Sequence, residues 1–153
     1  MIQLEYEQDF HGWLNSQINL LKQGRISEID AKNLIEELES MAGRDRNELL
    51  SHFKILIAHL LKWQFQLKQL SDRWSEFKGS SWRDTIIEQR SEIHDQLENS
   101  PSLKHHLSEI VTKSYPKAVS LAVDETQLPR ATFPNICPYT IEQLLDKYFS
   151  TPQ

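Results

Sequence analysis

Apolar residues recur every three or four positions along most of the chain, which is the spacing that places them on one face of an α-helix. No alternating run of β-branched and polar residues is longer than about four, so the pattern predicts no β-strand. All four glycines precede residue 80 and all six prolines follow residue 100. The sequence therefore predicts an all-α protein, a single compact helical bundle of five or six helices over 1–153, with a segmented C-terminal third.

The first half of the chain is predicted to form two helices. The first covers about 7–23 and ends before Gly24. Its apolar stripe consists of Phe10, Trp13, Leu14, Ile18 and Leu21. Asp30 is the expected N-cap of the second helix, which runs from 31 to about 69 unless it breaks at Gly43. We prefer one helix because its stripe keeps its phase across the glycine. That stripe consists of Leu34, Leu38, Met41, Leu49, Phe53, Leu56 and Leu60.

The middle of the chain is predicted to contain a loop and two further helices. Residues 70–80 are the expected loop, and Ser81 is the expected cap of the helix that follows. The apolar stripe of that helix consists of Trp82, Ile86, Ile93 and Leu97. Ser100 and Pro101 begin the next helix, because serine is a good cap and proline fits the first turn. Pro116 is expected to kink or end it.

The last part of the chain is predicted to be mostly extended. Residues 128–139 hold three prolines and have no helical period. We therefore expect a proline-rich strap that crosses the bundle and is pinned by Phe133. Thr140 is the expected N-cap of a short terminal helix over 140–149.

Several polar side chains fall within the apolar arcs of these helices. In the second half of the long helix the apolar arc spans about 240°, as expected for a helix surrounded by others. His52, His59 and Trp63 fall inside this arc. In the next helix Arg90 lies within the stripe, where a guanidinium is costly unless acceptors meet it. Glu37 borders the stripe of its own helix, so we predict that it contacts Arg90 or a histidine.

These polar residues have two interpretations. In the structural one, they make satisfied core contacts that fix helix register. This set consists of Glu37, His52, His59, Trp63, Trp82 and Arg90. In the functional one, His59 acts with Glu37 and Arg90 in a hydrolase-like or metal-assisted enzyme. On one straight helix Glu37 and His59 lie about 33 Å apart, which counts against a shared site unless the helix breaks.

Composition narrows the classes of function. The chain has 17 basic and 22 acidic residues and a net charge of −5, without the basic cluster that nucleic acid requires. Its longest apolar run, 55–58, is far shorter than the ~20 residues of a membrane helix, so no membrane is expected. The single Cys137 cannot form an internal disulfide and favours a reducing cytoplasm. No metal or cofactor motif is present, and His52 and His59 are only weak metal candidates.

Eight short motifs follow one another along nearly the whole chain. They are Tyr6-x-x-Asp9-Phe-x-x-Trp13, Leu34-Ile-Glu-Glu-Leu38, His59-Leu-Leu-Lys-Trp63, Ser81-Trp82-Arg-x-Thr85, Gln89-Arg90, Ser100-Pro-Ser-Leu103, Glu125-Thr126 and Phe133-Pro-x-x-Cys-Pro138. In this order the chain resembles the bacterial family known as domain of unknown function 29. The resemblance implies an all-helical single domain and supplies no activity. It marks as motif positions Glu36, Glu37, His59, Trp63, Trp82 and Arg90.

We predict a non-enzymatic protein-interaction or regulatory module, without a cofactor, whose partner is another protein or a second copy of the chain as a homodimer. An exposed apolar patch of several hundred Å² would mark the surface that binds the partner. The alternative is the enzyme built on His59 with Glu37 and Arg90. That enzyme would need a pocket that solvent can reach and in which the three side chains converge.

Overall fold

The computed structural model describes residues 2–66 and 72–150. Within these ranges the chain forms six α-helices and no strand, which confirms the all-α prediction. The helices are α1 (Ile2–Gln8), α2 (Phe10–Lys22), α3 (Ala31–Phe65), α4 (Asp72–Asn99), α5 (Leu107–Thr126) and α6 (Ile141–Leu145).

The long helix α3 is continuous through Gly43, so the prediction of one helix is confirmed and the alternative of a break at Gly43 is wrong. Asp30 immediately precedes α3, and its carboxylate accepts the backbone N–H of Asn33 at 3.4 Å, as expected of an N-cap. The predicted end of this helix at residue 69 lies outside the described residues. A stripe that keeps its phase from Leu34 to Leu60, about seven turns, supports this continuity and outweighs the modest cost of a single glycine.

The structure has two helices in place of the predicted first helix, because the helix is interrupted at Asp9. The Asp9 carboxylate accepts the backbone N–H of Gly12 at 3.0 Å and so caps α2. A Cβ at residue 12 would collide with this carboxylate, so glycine permits the cap. The sequence prediction missed α1, which begins at Ile2.

The predicted loop over 70–80 is wrong from residue 72 onward, since α4 begins at Asp72. Residues 70 and 71 lie outside the described residues. Ser81 is an interior residue of α4 and not its cap. Serine, aspartate and one glycine lower helix propensity by less than about 1 kcal/mol each, which does not prevent a helix.

The prolines after residue 100 segment the chain less than predicted. Pro101–His106 forms a short 3₁₀ helix, and α5 continues through Pro116. Proline removes one backbone hydrogen bond from α5, but Tyr115, Ala118 and Val119 beside it are buried and hold the helix in place.

The strap contains one 3₁₀ turn, Arg130–Thr132, and no α-helix. Its Phe133 is buried, and the Tyr115 hydroxyl donates to the carbonyl of Pro134 at 2.5 Å. Thr140 caps α6 in a reciprocal capping box with Gln143, as its sequence position predicted. This helix ends at residue 145, which is earlier than the predicted residue 149.

The packing divides into two compact units, Met1–Arg44 and Asp45–Gln153, and the boundary falls within α3. The first unit contains α1, α2 and the start of α3. In the second unit, one cluster of buried side chains joins the second half of α3 to α4, α5, the strap and α6. Its fully buried members on α3 are Leu49, Phe53, Leu56, Ile57, Ala58, Leu60 and Leu61. The single-domain interpretation stays a prediction.

Candidate functional site

A buried lysine brings three of the sequence motifs together in the second unit. Lys62 of α3 is only 4% exposed. Its ammonium group donates to the carboxylate of Glu125 on α5 and lies 3.3 Å from Nε2 of His59. The same ammonium lies 5.5 Å from the centroid of the Trp82 ring on α4. We call His59, Lys62, Trp82 and Glu125 the Lys62 cluster.

The contacts of His59 define which ring nitrogen carries the proton. Its Nδ1 lies 2.8 Å from the carbonyl oxygen of Ile55, and a carbonyl can only accept, so Nδ1 donates. The unprotonated Nε2 then accepts from the ammonium of Lys62. Both ring nitrogens are thereby engaged within the protein. His59 in this arrangement offers no lone pair to a metal ion or to a substrate proton.

Burial and the neighbouring charge of Lys62 favour the neutral form of His59. Burial lowers the pKa of His59 most, Lys62 lowers it further, and Glu125 acts in the opposite direction. A proton on Nε2 would face the Lys62 ammonium directly, which explains the electrostatic part of the effect. The Lys62 cluster is thus an internal contact among α3, α4 and α5.

Stability should therefore decrease at acid pH through His59. The unfolded chain binds a proton at this histidine as the pH falls below about 6.5, whereas the folded protein binds it only at lower pH. The free energy of unfolding should accordingly fall as the pH drops below about 6.5, down to the lowered pKa of the folded protein. Urea unfolding of the wild type and of His59→Gln at a series of pH values measures this. The two proteins differ only at residue 59, so equal pH slopes would contradict the prediction.

Two other predicted polar positions make separate contacts. Nδ1 of His52 lies 2.7 Å from the amide oxygen of Gln89, so α3 and α4 are joined here as well. Trp63 stacks its ring under the guanidinium of Arg83, 5.5 Å from the ring centroid.

Arg90 is buried, and its partners are backbone carbonyls at the end of α6. Its Nε donates to the carbonyl of Leu144 at 2.9 Å, and Nη2 donates to that of Gln143 at 3.2 Å. His94, one turn along α4, donates to the carbonyl of Leu145 at 2.7 Å. The last carbonyls of a helix lack partners within the helix and favour positive charge. Arg90 therefore holds the C-terminal helix against α4.

Glu37 belongs to the first unit and contacts a tyrosine. The Tyr6 hydroxyl donates to the Glu37 carboxylate at 2.5 Å, and this bond raises the pKa of Tyr6 to about 12. Trp13, which is fully buried, donates through its indole N–H to Asp30 at 2.9 Å. The pair Trp13 and Asp30 is nested in sequence within the pair Tyr6 and Glu37. The chain therefore turns back after α2, and α1 and α2 lie against the start of α3. We call residues 2–44 the hairpin.

The structure gives the three proposed catalytic residues different partners. His59 belongs to the Lys62 cluster, Arg90 caps α6 elsewhere in the same unit, and Glu37 holds Tyr6 in the hairpin. A contact of Glu37 with Arg90 or a histidine would join the two units and stays a prediction. Lys62 and Glu125 were not among the predicted site residues. Lys62 belongs to the motif that begins at His59, and Glu125 begins the motif Glu125-Thr126. Membership of a motif was the sequence signal that could have identified them.

The hairpin exposes an apolar stripe. Phe10, Ile18 and Leu21 of α2 and Leu38 and Met41 of α3 are between 39% and 63% exposed. The stripes predicted for both helices are therefore buried only in part: on α3, the stripe is buried from Leu49 onward, whereas Leu38 and Met41 are exposed and Leu34 is half-buried. We call these five exposed residues the apolar side of the hairpin.

The described residues hold a small pocket but no cluster of metal ligands. Among the side chains that the structure describes, no three of His, Cys, Asp or Glu are placed to hold a metal ion. A pocket of about 110 Å³ lies against α5 and the strap, lined by residues that include Tyr115, Arg130 and Phe133. It is smaller than the ~300 Å³ at which pockets for small molecules begin. No helix of the described part of the chain is long and apolar enough to cross a membrane.

Comparison with known proteins yields one family. A family model described as "Domain of unknown function DUF29" matches residues 5–150. No curated protein and no solved structure matches the chain. The matched range includes nearly all of the hairpin and the whole of the Lys62 cluster.

Proposed function

Since the chain belongs to the family described as domain of unknown function DUF29, a description that names no activity, we propose a function from its own geometry. In this proposal the protein is a non-enzymatic protein-interaction module that binds its partner through the apolar side of the hairpin. We assign it to a reducing cytoplasm, since its only cysteine, Cys137, has no second cysteine to pair with.

The distribution of exposed apolar side chains carries this proposal. Twelve large apolar side chains are exposed among the described residues, and nine of them belong to the hairpin. The hairpin makes up less than a third of the chain, so its surface is several times richer in exposed apolar residues than the second unit. Large apolar patches on a protein surface are typical of interaction sites.

The hydrogen bonds of the buried polar residues support the same function, because these residues are paired with other groups of the protein. His59, Lys62 and Arg90 each form hydrogen bonds with other residues of the second unit. A general base needs a free lone pair within reach of a substrate proton. These contacts favour a structural role for the three residues and leave the apolar side of the hairpin as the better candidate for function.

A photo-crosslinking amino acid at residue 38 should form adducts with a protein chain inside the cell. Leu38 lies on the apolar side of the hairpin and is 63% exposed. The matched control is residue 87, because Ile87 is 57% exposed on α4, outside the hairpin. The adduct is expected at residue 38 and not at residue 87, as read by mass spectrometry of the crosslinked protein. Equal labelling at both positions, or none at either, would refute the proposed binding surface.

A further inference from the structure

The pocket between α5 and the strap has an apolar floor and a polar rim. Tyr115 and Val119 of α5 and Phe133 of the strap line the pocket, and each is at most 5% exposed. Arg130 and Asn135 line it as well, and both are exposed. We call this the strap pocket. An apolar floor below a few polar groups is the usual composition of a site for a small ligand.

The strap holds the pocket open in one fixed shape. The Tyr115 hydroxyl donates to the carbonyl of Pro134, which joins α5 to the strap beside the pocket. The backbone N–H of Phe133 donates to the carbonyl of Arg130 at 3.1 Å and closes the 3₁₀ turn. Pro134 also has a restricted φ angle. A ligand that enters the strap pocket therefore has little chain to order, which favours binding.

The positive charge of Arg130 is available to a ligand. Its Nη1 donates to the hydroxyl of Ser120 at 3.2 Å, which leaves most of the N–H groups of the guanidinium for another acceptor. Among the described residues no carboxylate forms an ion pair with Arg130. Burial and then Cys137 raise the pKa of Tyr115 to about 12, whereas Arg130 acts in the opposite direction. The guanidinium charge therefore acts at the wall of the strap pocket.

The other side chains of the rim also favour an anion. The side-chain amide of Asn135 has no hydrogen bond within the part of the chain that the structure describes, and its NH₂ group can donate two. No acidic side chain of the described residues lines the pocket. Donors and a positive charge without a neighbouring carboxylate attract an anion and repel a cation.

The volume of the pocket limits the ligand to a few atoms. A dry cavity of about 150 Å³ holds one benzene molecule, which has six carbons. The strap pocket has a volume of about 110 Å³, so it holds about four or five non-hydrogen atoms. Acetate and propionate have this size.

We propose that the strap pocket binds a short-chain carboxylate, with its carboxylate at Arg130 and Asn135 and its alkyl end on the apolar floor. The charged end stays at the rim because burying a charge among apolar side chains is costly. The alkyl end leaves water and contacts the floor, which favours binding. Inorganic phosphate lacks an alkyl end, and a fatty acid is too long for the volume. This site is independent of the proposed function, whose surface lies on the hairpin.

Titration of the full chain with propionate, followed by nuclear magnetic resonance of the backbone amides, tests the site. The signals of Val119, Arg130 and Asn135 are expected to shift and to saturate, with a Kd of about 1 mM for a ligand this small. Arg130→Gln should raise the Kd at least about tenfold, since it removes the charge that meets the carboxylate. Arg46→Gln is the matched control, because Arg46 is exposed and lies outside the pocket. Equal Kd values for the two variants, or shifts that do not saturate, would overturn the site.

Two further probes test the class of ligand on the wild type alone. Propionamide has the shape of propionate without its charge, so its Kd should be at least about tenfold higher. Octanoate carries the same carboxylate on a chain too long for the pocket, and it should also bind more weakly than propionate. Propionamide or octanoate that binds as tightly as propionate would contradict a short-chain carboxylate as the ligand. Failure of these tests leaves crosslinking from residue 38 unaffected, so this proposal and the proposed function fail separately.

Discussion

Trp13→Ala is expected to lower the free energy of unfolding of the hairpin by about 3–5 kcal/mol, the range for removing a large aromatic side chain from a core. Trp13 is fully buried and contacts the ring of Tyr6 at 4.7 Å between centroids. It also donates to Asp30, the residue that caps α3. The substitution removes both the packing and the hydrogen bond. Amide hydrogen exchange in α2 measures the effect, since it reports the opening of this unit directly.

Trp13→Phe is the matched control. It keeps most of the aromatic packing and loses only the hydrogen bond to Asp30, so a loss of about 1–3 kcal/mol is expected. The two variants should also differ in binding, because the apolar side exists only while the hairpin is folded. Protection of α2 that is unchanged in Trp13→Ala would show that Trp13 does not hold the hairpin together.

Glu125→Ala is expected to cost about 2 kcal/mol or more, because it leaves the ammonium of Lys62 buried without its carboxylate. The Lys62 side chain is 5% exposed, whereas that of Glu125 is 42% exposed. Water can therefore replace part of the lost contact on the Glu125 side, which places the effect at the lower end of the range for buried pairs. Urea unfolding at neutral pH measures it.

The double variant Lys62→Met with Glu125→Ala separates the charge from the packing. Methionine fills a similar volume without a charge, so the double variant should be more stable than Glu125→Ala alone. Lys62→Met alone should also raise the pKa of His59, since Lys62 lowers it, and nuclear magnetic resonance titration reports this value. Additive losses in the double variant, with an unchanged pKa of His59, would show that the Lys62 cluster is not an electrostatic unit.

The helices were largely predictable because periodicity and caps are local properties of a sequence. A stripe that keeps its phase predicted α3 as one element, and the Thr140 signal predicted the start of α6. The start of α4 at Asp72 was missed because the prediction relied on the same local properties. Residues 72–80 have weak helix formers and turn residues, and propensities of this size are overridden by the rest of the fold.

The partners of polar residues were not predictable, because they come from distant parts of the chain. Projection onto a helix identifies Arg90 as a residue facing the core, and it predicts the carboxylate of Glu37 as the partner of Arg90. The acceptors are backbone carbonyls of α6, and every residue supplies such a carbonyl, so composition gives no signal for them. Glu125 meets Lys62 across 63 positions of sequence, which spacing on one helix does not reveal.

The apolar side of the hairpin was predicted as a stripe and not as a surface. Periodicity shows that Leu38 and Met41 share a face of α3 with Leu49, but it does not show what covers that face. In the structure this face is buried from Leu49 onward, whereas Leu38 and Met41 are exposed. The sequence thus identified these residues, and only the fold showed that they are exposed.

Solvent access to Leu38 and Met41 in the presence of a partner decides most directly whether the apolar side of the hairpin is an interface. Hydroxyl-radical labelling followed by mass spectrometry measures this access, with Ile87 as the exposed reference on α4. We predict that labelling of Leu38 and Met41 is lower in cells, where the partner is present, than in the purified protein in dilute solution, while labelling of Ile87 is the same in both. Labelling of Leu38 and Met41 that is as high in cells as in the purified protein would contradict the proposed interface.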